Sequence, residues 1–256
     1  MPNLTFWHNT SEEIGKFAAS TIAIQPIGST EQHGKHLPVG TDSLINNAIV
    51  NEVKDLIDAG HVPATFLPLL PYGKSNEHLN YPGTITFTAE TFMSVLRDIG
   101  DSCARAGFKK LVFLNSHGGN HEIVDLMVRE IRIRTGMQVF ALHPFLKLNP
   151  DNMELEEKEA KLGIHAGKIE TSLILAINPA LVKTDHYQAD YPEILENKRY
   201  LDFSERVPFG WITEDVSRTG IVGDPRLASA EEGEKLLEGI AKKIYEVIVE
   251  INNFPE

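Results

Sequence analysis

The sequence is organised around the stretch Ser20-Thr21-Ile22-Ala23-Ile24-Gln25-Pro26, which leads into Gly28-Ser29-Thr30-Glu31-Gln32-His33-Gly34-Lys35-His36-Leu37-Pro38-Val39-Gly40-Thr41-Asp42. The first part is short, apolar and rich in β-branched side chains, which is typical of a buried strand. The second part is polar and rich in turn-forming residues, so it begins where the strand ends. In parallel α/β sheets, functional groups collect at the ends of strands. This junction is therefore the first candidate for a functional site.

The polar part contains the pair Glu31 and His33, followed by Asp42. Residues two positions apart project to the same face of an extended backbone, so this carboxylate and this imidazole can reach one point. The intervening glycines allow sharp turns and the proline stiffens the loop, so Asp42 can return to the same point as a further oxygen ligand. Two carboxylates and an imidazole suit a hard or borderline divalent cation.

A second polar motif follows another predicted strand. The run Lys110-Leu111-Val112-Phe113-Leu114-Asn115 is apolar enough for a buried strand, and Ser116-His117-Gly118-Gly119-Asn120 leads from it into a helix predicted over residues 121–135. The carboxyl ends of parallel strands share one crevice. We therefore expect His117 to lie near Glu31 and His33.

The rest of the chain alternates predicted helices and strands. Further strands are predicted over residues 64–70, at an edge because Pro68 lacks a backbone donor, and over residues 137–142. Helices are predicted over residues 43–57, from Thr88 to Gly107, over 151–161 as a solvated helix or lid, up to Ile177, and from a capping box at Ser229. Residues 182–209 are poorly periodic and should form loops with short strands. At 256 residues, we expect one α/β domain over 1–256.

Composition limits the classes of partner. The net charge is −12, and no block of Lys or Arg could form a phosphate-binding stripe, so nucleic acid is not an expected partner. The single cysteine, Cys103, falls in a predicted helix and is interpreted as a small buried hydrophobe. No apolar run is long enough for a membrane span and no signal-peptide pattern opens the chain. We expect a soluble, cytoplasmic protein that does not associate with membranes.

A third polar segment, His165-Ala166-Gly167-Lys168-Ile169-Glu170-Thr171-Ser172, opens the helix that ends at Ile177. Together with the segments 31–42 and 115–120, it resembles the creatininase (creatinine amidohydrolase) family. The landmarks Tyr81-Pro82-Gly83-Thr84 and Gly223-Asp224-Pro225 follow in the expected order. The resemblance spans about residues 20 to 230.

The resemblance implies a three-layer α/β/α sandwich around a mostly parallel sheet, commonly assembled as a hexamer, with two divalent ions per chain (Zn, Mn or Fe). Carried over by position, Glu31 and His117 would hold one ion, His33 would hold the other, and Asp42 would bridge them. The imidazoles of His36 and His78 could also be ligands, but supporting roles are favoured for both.

One position departs from the creatinine-hydrolysing members, which carry an acidic ligand two residues after the histidine of the second motif. This chain has Gly119 there, so the second ion needs another oxygen. Glu170 is the expected replacement, because it matches an acidic residue of family members with the same Gly-Gly motif. Glu122 is the alternative, although its place inside the following helix should direct it elsewhere.

The implied chemistry is hydrolysis of a small cyclic amide or related carbonyl compound. Two cations would lower the pKa of a shared water, and the resulting hydroxide would attack the carbonyl carbon. His165 is the candidate to protonate the leaving nitrogen. Ser75 and the amides of Gly118 and Gly119 are candidates to orient the substrate.

The substrate itself is left open by the sequence. Creatinine-specific members enclose their substrate with tryptophans around the lid, whereas this chain has only Trp7 and Trp211, neither within residues 150–165. Creatinine is therefore not the expected substrate. Other family members act on a peptide or on a cyclic keto-inositol, and a metal-bound protein without turnover is the remaining alternative.

Overall fold

The computed structural model describes residues 2–145, 155–203 and 206–255. Four parallel strands form the main sheet in the order β2-β1-β3-β4. They are β1 (Ile22–Ile27), β2 (Ala64–Phe66), β3 (Lys110–Asn115) and β4 (Gln138–Leu142). A separate short pair consists of β5 (Leu201–Asp202) and β6 (Val207–Pro208). The mostly parallel sheet is confirmed.

Eight α-helices are described in these ranges. They are α1 (Ser11–Phe17), α2 (Thr41–Gly60), α3 (Ala89–Ala106), α4 (His121–Thr135), α5 (Glu157–Leu162), α6 (Lys168–Ile177), α7 (Thr213–Val216) and α8 (Ala230–Asn253). Single 3-10 turns lie at Phe6–His8, Ala18–Ser20, Asn76–His78, Gly118–Asn120, Pro179–Leu181, Thr184–His186, Glu193–Leu195 and Pro225–Leu227.

The sheet is apolar on both faces, so helices cover both. In β1, Ile22 and Ile24 pack into one cluster with α2, α6 and α8, whereas Ala23 and Ile27 pack into a second cluster with α3 and α4. Neighbouring side chains of a strand alternate between faces, so one buried run can supply both cores. The predicted three-layer α/β/α sandwich is confirmed.

Local signals fix the ends of the helices. The Thr88 hydroxyl accepts a hydrogen bond from the backbone N–H of Thr91 and caps the start of α3, and Gly107, with φ of 100°, follows its last residue. Ser229 accepts from the N–H of Glu232 and begins α8. Cys103 is buried in α3, and burial raises the pKa of its thiol to about 12, as expected for a structural cysteine.

Some boundaries differ from the prediction. The edge strand β2 ends at Phe66, because the chain then turns and the Pro68 carbonyl accepts a hydrogen bond from the Gln25 amide at 2.8 Å. The helix α2 begins at Thr41, so Asp42 lies in its first turn and not in the preceding loop. Of the helix predicted over 151–161, residues 151–154 lie outside the described ranges, and α5 covers Glu157–Leu162.

Among the described residues, no helix combines the length and the apolarity that a membrane crossing would need.

Truncating a side chain at the centre of the sheet should be costly. Leu111 is fully buried in β3, so Leu111→Ala should lower the free energy of unfolding by about 2–5 kcal/mol through lost burial and a residual cavity. Leu126 on α4 is 50% exposed, and Leu126→Ala should change it by only about 0.5 kcal/mol. Urea denaturation of both variants measures the difference, and equal effects would contradict this account of the core.

Candidate metal centre

The sequence-predicted ligands come together at the carboxyl ends of β1 and β3. Glu31 and His33 lie in the loop after β1, Asp42 in the first turn of α2, His117 directly after β3, and Glu170 in the first turn of α6. Although carboxylates seldom lie fully inside a protein, Glu31 is only 1% and Asp42 only 2% exposed. Parallel topology thus gathers residues that are far apart in the chain.

A first ligand group consists of Glu31, Asp42 and His117, whose candidate ligand atoms lie within 4.8 Å of one another. The Nε2 of His117 is 3.2 Å from Glu31 Oε2, and its Nδ1 is 3.5 Å from Asp42 Oδ2. The backbone carbonyl of Lys74 also lies 3.0 Å from Nε2 of His117. Such a carbonyl orients a metal-binding imidazole by accepting its second N–H.

A second ligand group consists of His33, Asp42 and Glu170. The Nε2 of His33 is 3.8 Å from Asp42 Oδ1 and 3.7 Å from Glu170 Oε1. The Nδ1 of His33 donates to the backbone carbonyl of Glu31 at 3.1 Å, which leaves Nε2 as the ligand atom. Asp42 belongs to both groups, with Oδ1 directed to His33 and Oδ2 directed to His117.

The buried carboxylates and imidazoles of the two ligand groups shift one another's pKa values. Burial raises the pKa of Glu31 to about 7, against the attraction of His117. Burial also disfavours the charged form of His33, but the carboxylates of Glu170 and Asp42 outweigh it and hold the pKa of His33 well above its ordinary value. Burial acts on Asp42 as well, yet His33 and His117 keep the pKa of this carboxyl below its ordinary value.

The chemistry of these residues fits divalent cations. Within the described part of the chain, two buried atoms of the centre, Glu31 Oε2 and His33 Nε2, have no hydrogen-bond partner. Buried polar atoms without partners are costly unless a ligand satisfies them. Carboxylate oxygens and imidazole nitrogens are ligands for zinc and manganese.

His165 lies beside the two groups. Its Nε2 donates to the backbone carbonyl of Gln32 at 2.7 Å, so its Nδ1, 3.7 Å from Glu31 Oε1, carries the lone pair. Its ring lies between those of His33 and His78, with centroid distances of 4.3 and 4.5 Å. Burial, followed by the neighbouring His33, lowers the pKa of His165 to about 4. The imidazole is therefore neutral and can accept a proton on the side of the centre.

The loop that presents His165 is strained. Ala166 has φ of 53°, a conformation that residues with a Cβ rarely adopt. Its backbone N–H donates to the Glu170 carboxylate, and the Glu159 carboxylate accepts from the N–H of Lys168 at 2.8 Å. These bonds hold the entry of α6, and thereby fix Glu170 relative to His165.

Of the residues predicted to contact the substrate, Ser75 contacts a candidate ligand, whereas Gly118 and Gly119 line the cavity. Ser75 is buried with its hydroxyl 3.3 Å from Nε2 of His117, so it contacts a candidate ligand. Gly118 and Gly119 line the cavity next to the centre. A Cβ at Gly119 would lie 2.5 Å from Glu77 Oε1 and 2.6 Å from the Lys74 carbonyl oxygen. The space for a side chain at position 119 is therefore taken by Glu77.

The alternative ligand Glu122 and the two supporting histidines, His36 and His78, lie as follows. The side chain of Glu122 is 77% exposed and 4.0 Å from His121, outside both ligand groups. His36 contacts the Thr171 hydroxyl at 3.0 Å, within α6. The Nδ1 of His78 lies 3.0 Å from the Gln32 amide nitrogen, and its Nε2 lies 3.5 Å from Glu31 Oε1.

Sequence reasoning missed Glu77 and Gln32. With Glu31 and His78, Glu77 forms a further group of potential ligands, and Gln32 connects His78 to the Gly220 carbonyl. Glu77 is adjacent to His78 in a turn-rich loop, and an acid beside a histidine was the available signal. Both residues lie outside the α-helices and β-strands, so no periodic pattern in the sequence predicts where their side chains point.

A separate group consists of His121, Asp125 and His143, beyond β4. The Nε2 of His143 lies 2.9 Å from Asp125 Oδ1, and its Nδ1 lies 3.1 Å from the Asn115 amide nitrogen. Because that amide donates to Nδ1, the proton of His143 is on Nε2 and is donated to Asp125. This tautomer makes the group a hydrogen-bonded support for Asn115, which also donates to the His117 carbonyl at 2.8 Å.

Fold and site together define a metal-dependent hydrolase. The family described as creatininase, creatinine amidohydrolase, matches residues 7–248. The chain belongs to the creatininase family and is an enzyme of the metal-dependent amidohydrolase type, which confirms the resemblance.

Similar proteins of known name act on different compounds. The mycofactocin precursor peptide peptidase of Mycobacterium tuberculosis is 32% identical over 237 residues, with 89% of this chain and 83% of the relative covered. The creatinine amidohydrolase of Pseudomonas putida is 31% identical, with 91% and 90% covered. The 3-dehydro-scyllo-inosose hydrolase of Thermotoga maritima is 25% identical, with 91% and 79% covered.

Solved structures extend the likeness to the whole fold. A mutant creatininase of Zn-Zn type is 27% identical, with a TM-score of 0.73 and 100% of both chains covered. A structure of creatininase with Mn is 26% identical, with a TM-score of 0.72 and the same coverage of 100%.

Proposed function

We propose that this chain is a binuclear metal-dependent hydrolase that cleaves an amide, with Glu31, Asp42 and His117 at one ion and His33, Asp42 and Glu170 at the other. The observation that carries the proposal is the position of Asp42, whose two oxygens are directed to His117 and to His33. Zinc or manganese suits these ligands. One similar creatininase structure is described as the Zn-Zn type, and another as creatininase with Mn.

When bound, a pair of divalent ions supplies activated water and polarises a carbonyl group. The chain's own residues supply proton transfer and charge balance. The N–H at Nε2 of His165 donates to the Gln32 carbonyl, so Nδ1 is free to accept a proton. His165 can then deliver that proton to the leaving nitrogen. Glu170 contributes negative charge opposite His33, and Ser75 holds the ring of His117. The Gly118 and Gly119 segment borders the space where a substrate would lie.

The substrate class follows less directly. The centre is suited to a small cyclic amide or related carbonyl compound, as proposed from the family. A peptide amide is supported by the relative from Mycobacterium tuberculosis, and a cyclic keto-inositol by the relative from Thermotoga maritima.

Metal analysis tests the proposal. Protein reconstituted with zinc or manganese should hold close to two ions per chain, because Asp42 joins two ligand groups. The loaded protein should hydrolyse at least one compound in a panel of cyclic amides, peptide amides and cyclic ketones, and chelation should abolish this activity. At most one ion after reconstitution would exclude the binuclear centre, whereas two ions without any turnover would favour a metal-bound protein that does not catalyse.

Assembly gives a further prediction. We expect a homo-oligomer, with a hexamer as the assembly implied by family membership. Light scattering at micromolar concentration measures the mass directly, against 28.5 kDa for one chain. A mass of one chain would contradict this prediction.

A further inference from the structure

A cavity of about 420 Å³ connects the candidate metal centre to a group of aromatic rings. The residues that line the cavity include Glu31, Asp42 and His117. They also include Phe203, Phe209 and Trp211, whose rings are here called the aromatic wall. This volume falls within the range of small-molecule binding pockets, about 300–1,000 Å³.

The aromatic wall has the geometry of a preformed ring site. Phe203 and Phe209 are close to parallel, with centroids 6.0 Å apart, and Phe203 meets Trp211 edge to face at 5.3 Å. Both arrangements are favourable for aromatic side chains. All three side chains are only partly buried, whereas Phe113 of the sheet is fully buried. Because the three side chains also line the cavity, part of their ring surface faces the space that a ligand could occupy.

The aromatic wall is also fixed relative to the metal centre. Trp211 precedes α7, in which the buried Thr213 hydroxyl donates to the Glu77 carbonyl at 2.8 Å and lies 2.6 Å from Nδ1 of His78. His78 in turn faces Glu31 at 3.5 Å. Three direct contacts therefore connect the segment carrying Trp211 to a candidate metal ligand. A ligand spanning the cavity would meet both ends in a defined geometry.

We propose that the aromatic wall binds an aromatic ring of the substrate, so that the amide placed at the metal centre carries an aryl group. This inference rests on the proposed hydrolase function and narrows its substrate class. A planar ring can stack on Phe209 or meet Trp211 at its edge, and His117 and Asp42, where the amide would lie, line the same cavity.

Fluorescence provides a test that does not depend on turnover. The chain has two tryptophans, and Trp7→Phe removes the one that is 67% exposed and outside the cavity, leaving Trp211 as the reporter. Zinc-loaded Trp7→Phe protein is titrated with 3-phenylpropanamide and with propanamide, which lacks the ring. The phenyl compound should change Trp211 emission and bind at least about 10-fold more tightly, which corresponds to about 1.4 kcal/mol.

Two variants separate the aromatic wall from its surroundings. Phe209→Leu keeps an apolar side chain and should reduce the preference for the phenyl compound below about 3-fold, since the loss of one aromatic contact removes most of it. Tyr200→Leu is the matched control, because Tyr200 lies in the same segment but is 60% exposed and does not line the cavity. It should leave the preference unchanged, and circular dichroism confirms that both variants fold.

The outcomes distinguish the subsite from the hydrolase function. Equal affinity for the two amides, or an equal loss in Tyr200→Leu, would overturn the subsite. A Trp211 emission that changes with protein concentration alone would also overturn it, since the rings would then lie between copies of the chain. Binding of the phenyl compound without hydrolysis would support the subsite and contradict the hydrolase proposal. Hydrolysis of both amides at equal kcat/KM would support the hydrolase proposal and contradict the subsite.

Discussion

Asp42→Ala is expected to remove both divalent ions together and to lower kcat/KM by more than about 100-fold. Changes in residues that merely support a ligand already cost about 10–100-fold, and Asp42 directs one oxygen to each ligand group. Without it, each group retains only one carboxylate and one imidazole, which are too few for either ion. Metal analysis of the purified variant, together with steady-state kinetics, measures both effects.

Two comparisons make this expectation specific to the bridge. Asp58→Ala removes an exposed carboxylate from the same helix and should leave two ions bound. His33→Ala should weaken mainly one ion, because His33 belongs to one of the two groups that contain Asp42. If Asp42→Ala kept one ion at full affinity, Asp42 would be a ligand of a single ion.

Glu170→Gln should lower the affinity for one ion by roughly 10-fold or more and suppress turnover. The substitution keeps the size of the side chain but removes a charge that helps to neutralise two cations. Glu170 lies 3.7 Å from Nε2 of His33, and although burial disfavours its charged form, His33 holds the pKa of Glu170 below its ordinary value. Isothermal titration of the metal-free variant with zinc resolves the loss of one site from a general loss.

Glu122→Gln is the matched control for Glu170→Gln. Its carboxylate is 77% exposed and outside both ligand groups, so the variant should retain two ions and full activity. Loss of an ion from Glu122→Gln, with Glu170→Gln intact, would make Glu122 the ligand. If both variants kept two ions and only Glu170→Gln lost activity, Glu170 would act in proton transfer.

Much of the fold could be predicted because the strongest signals are local. The buried runs at β1 and β3, the Thr88 cap and the glycine after α3 each act within a few residues, and the structure has them where the sequence indicates. The convergence of Glu31 and His117 could also be predicted, because it follows from parallel topology alone. The C-terminal end of β2 could not, because the chain leaves the sheet where the Pro68 carbonyl accepts a hydrogen bond from the Gln25 side chain, whereas the start at Ala64 is where the sequence indicates.

The supporting residues of the site were beyond prediction for a related reason. The position of Gln32 beside His78, and that of Thr213 beside the same ring, depends on loops whose paths are set by tertiary contacts. Likewise, the aromatic wall is assembled from a segment without periodicity. Spacing in a sequence identifies candidate ligands, but it does not show which loop will fill the space beside them.

The close approach of Glu77 to Gly119 connects two positions that are far apart in the chain. A side chain at 119 would collide with Glu77 Oε1 and with the Lys74 carbonyl oxygen, so this arrangement permits an acid at only one of the two places. A side chain at position 119 of this chain would require the segment that carries Lys74 and Glu77 to shift. We therefore expect positions 77 and 119 to covary across the family. Members would then fall into two groups, one with an acid at 77 and the other with an acid at 119.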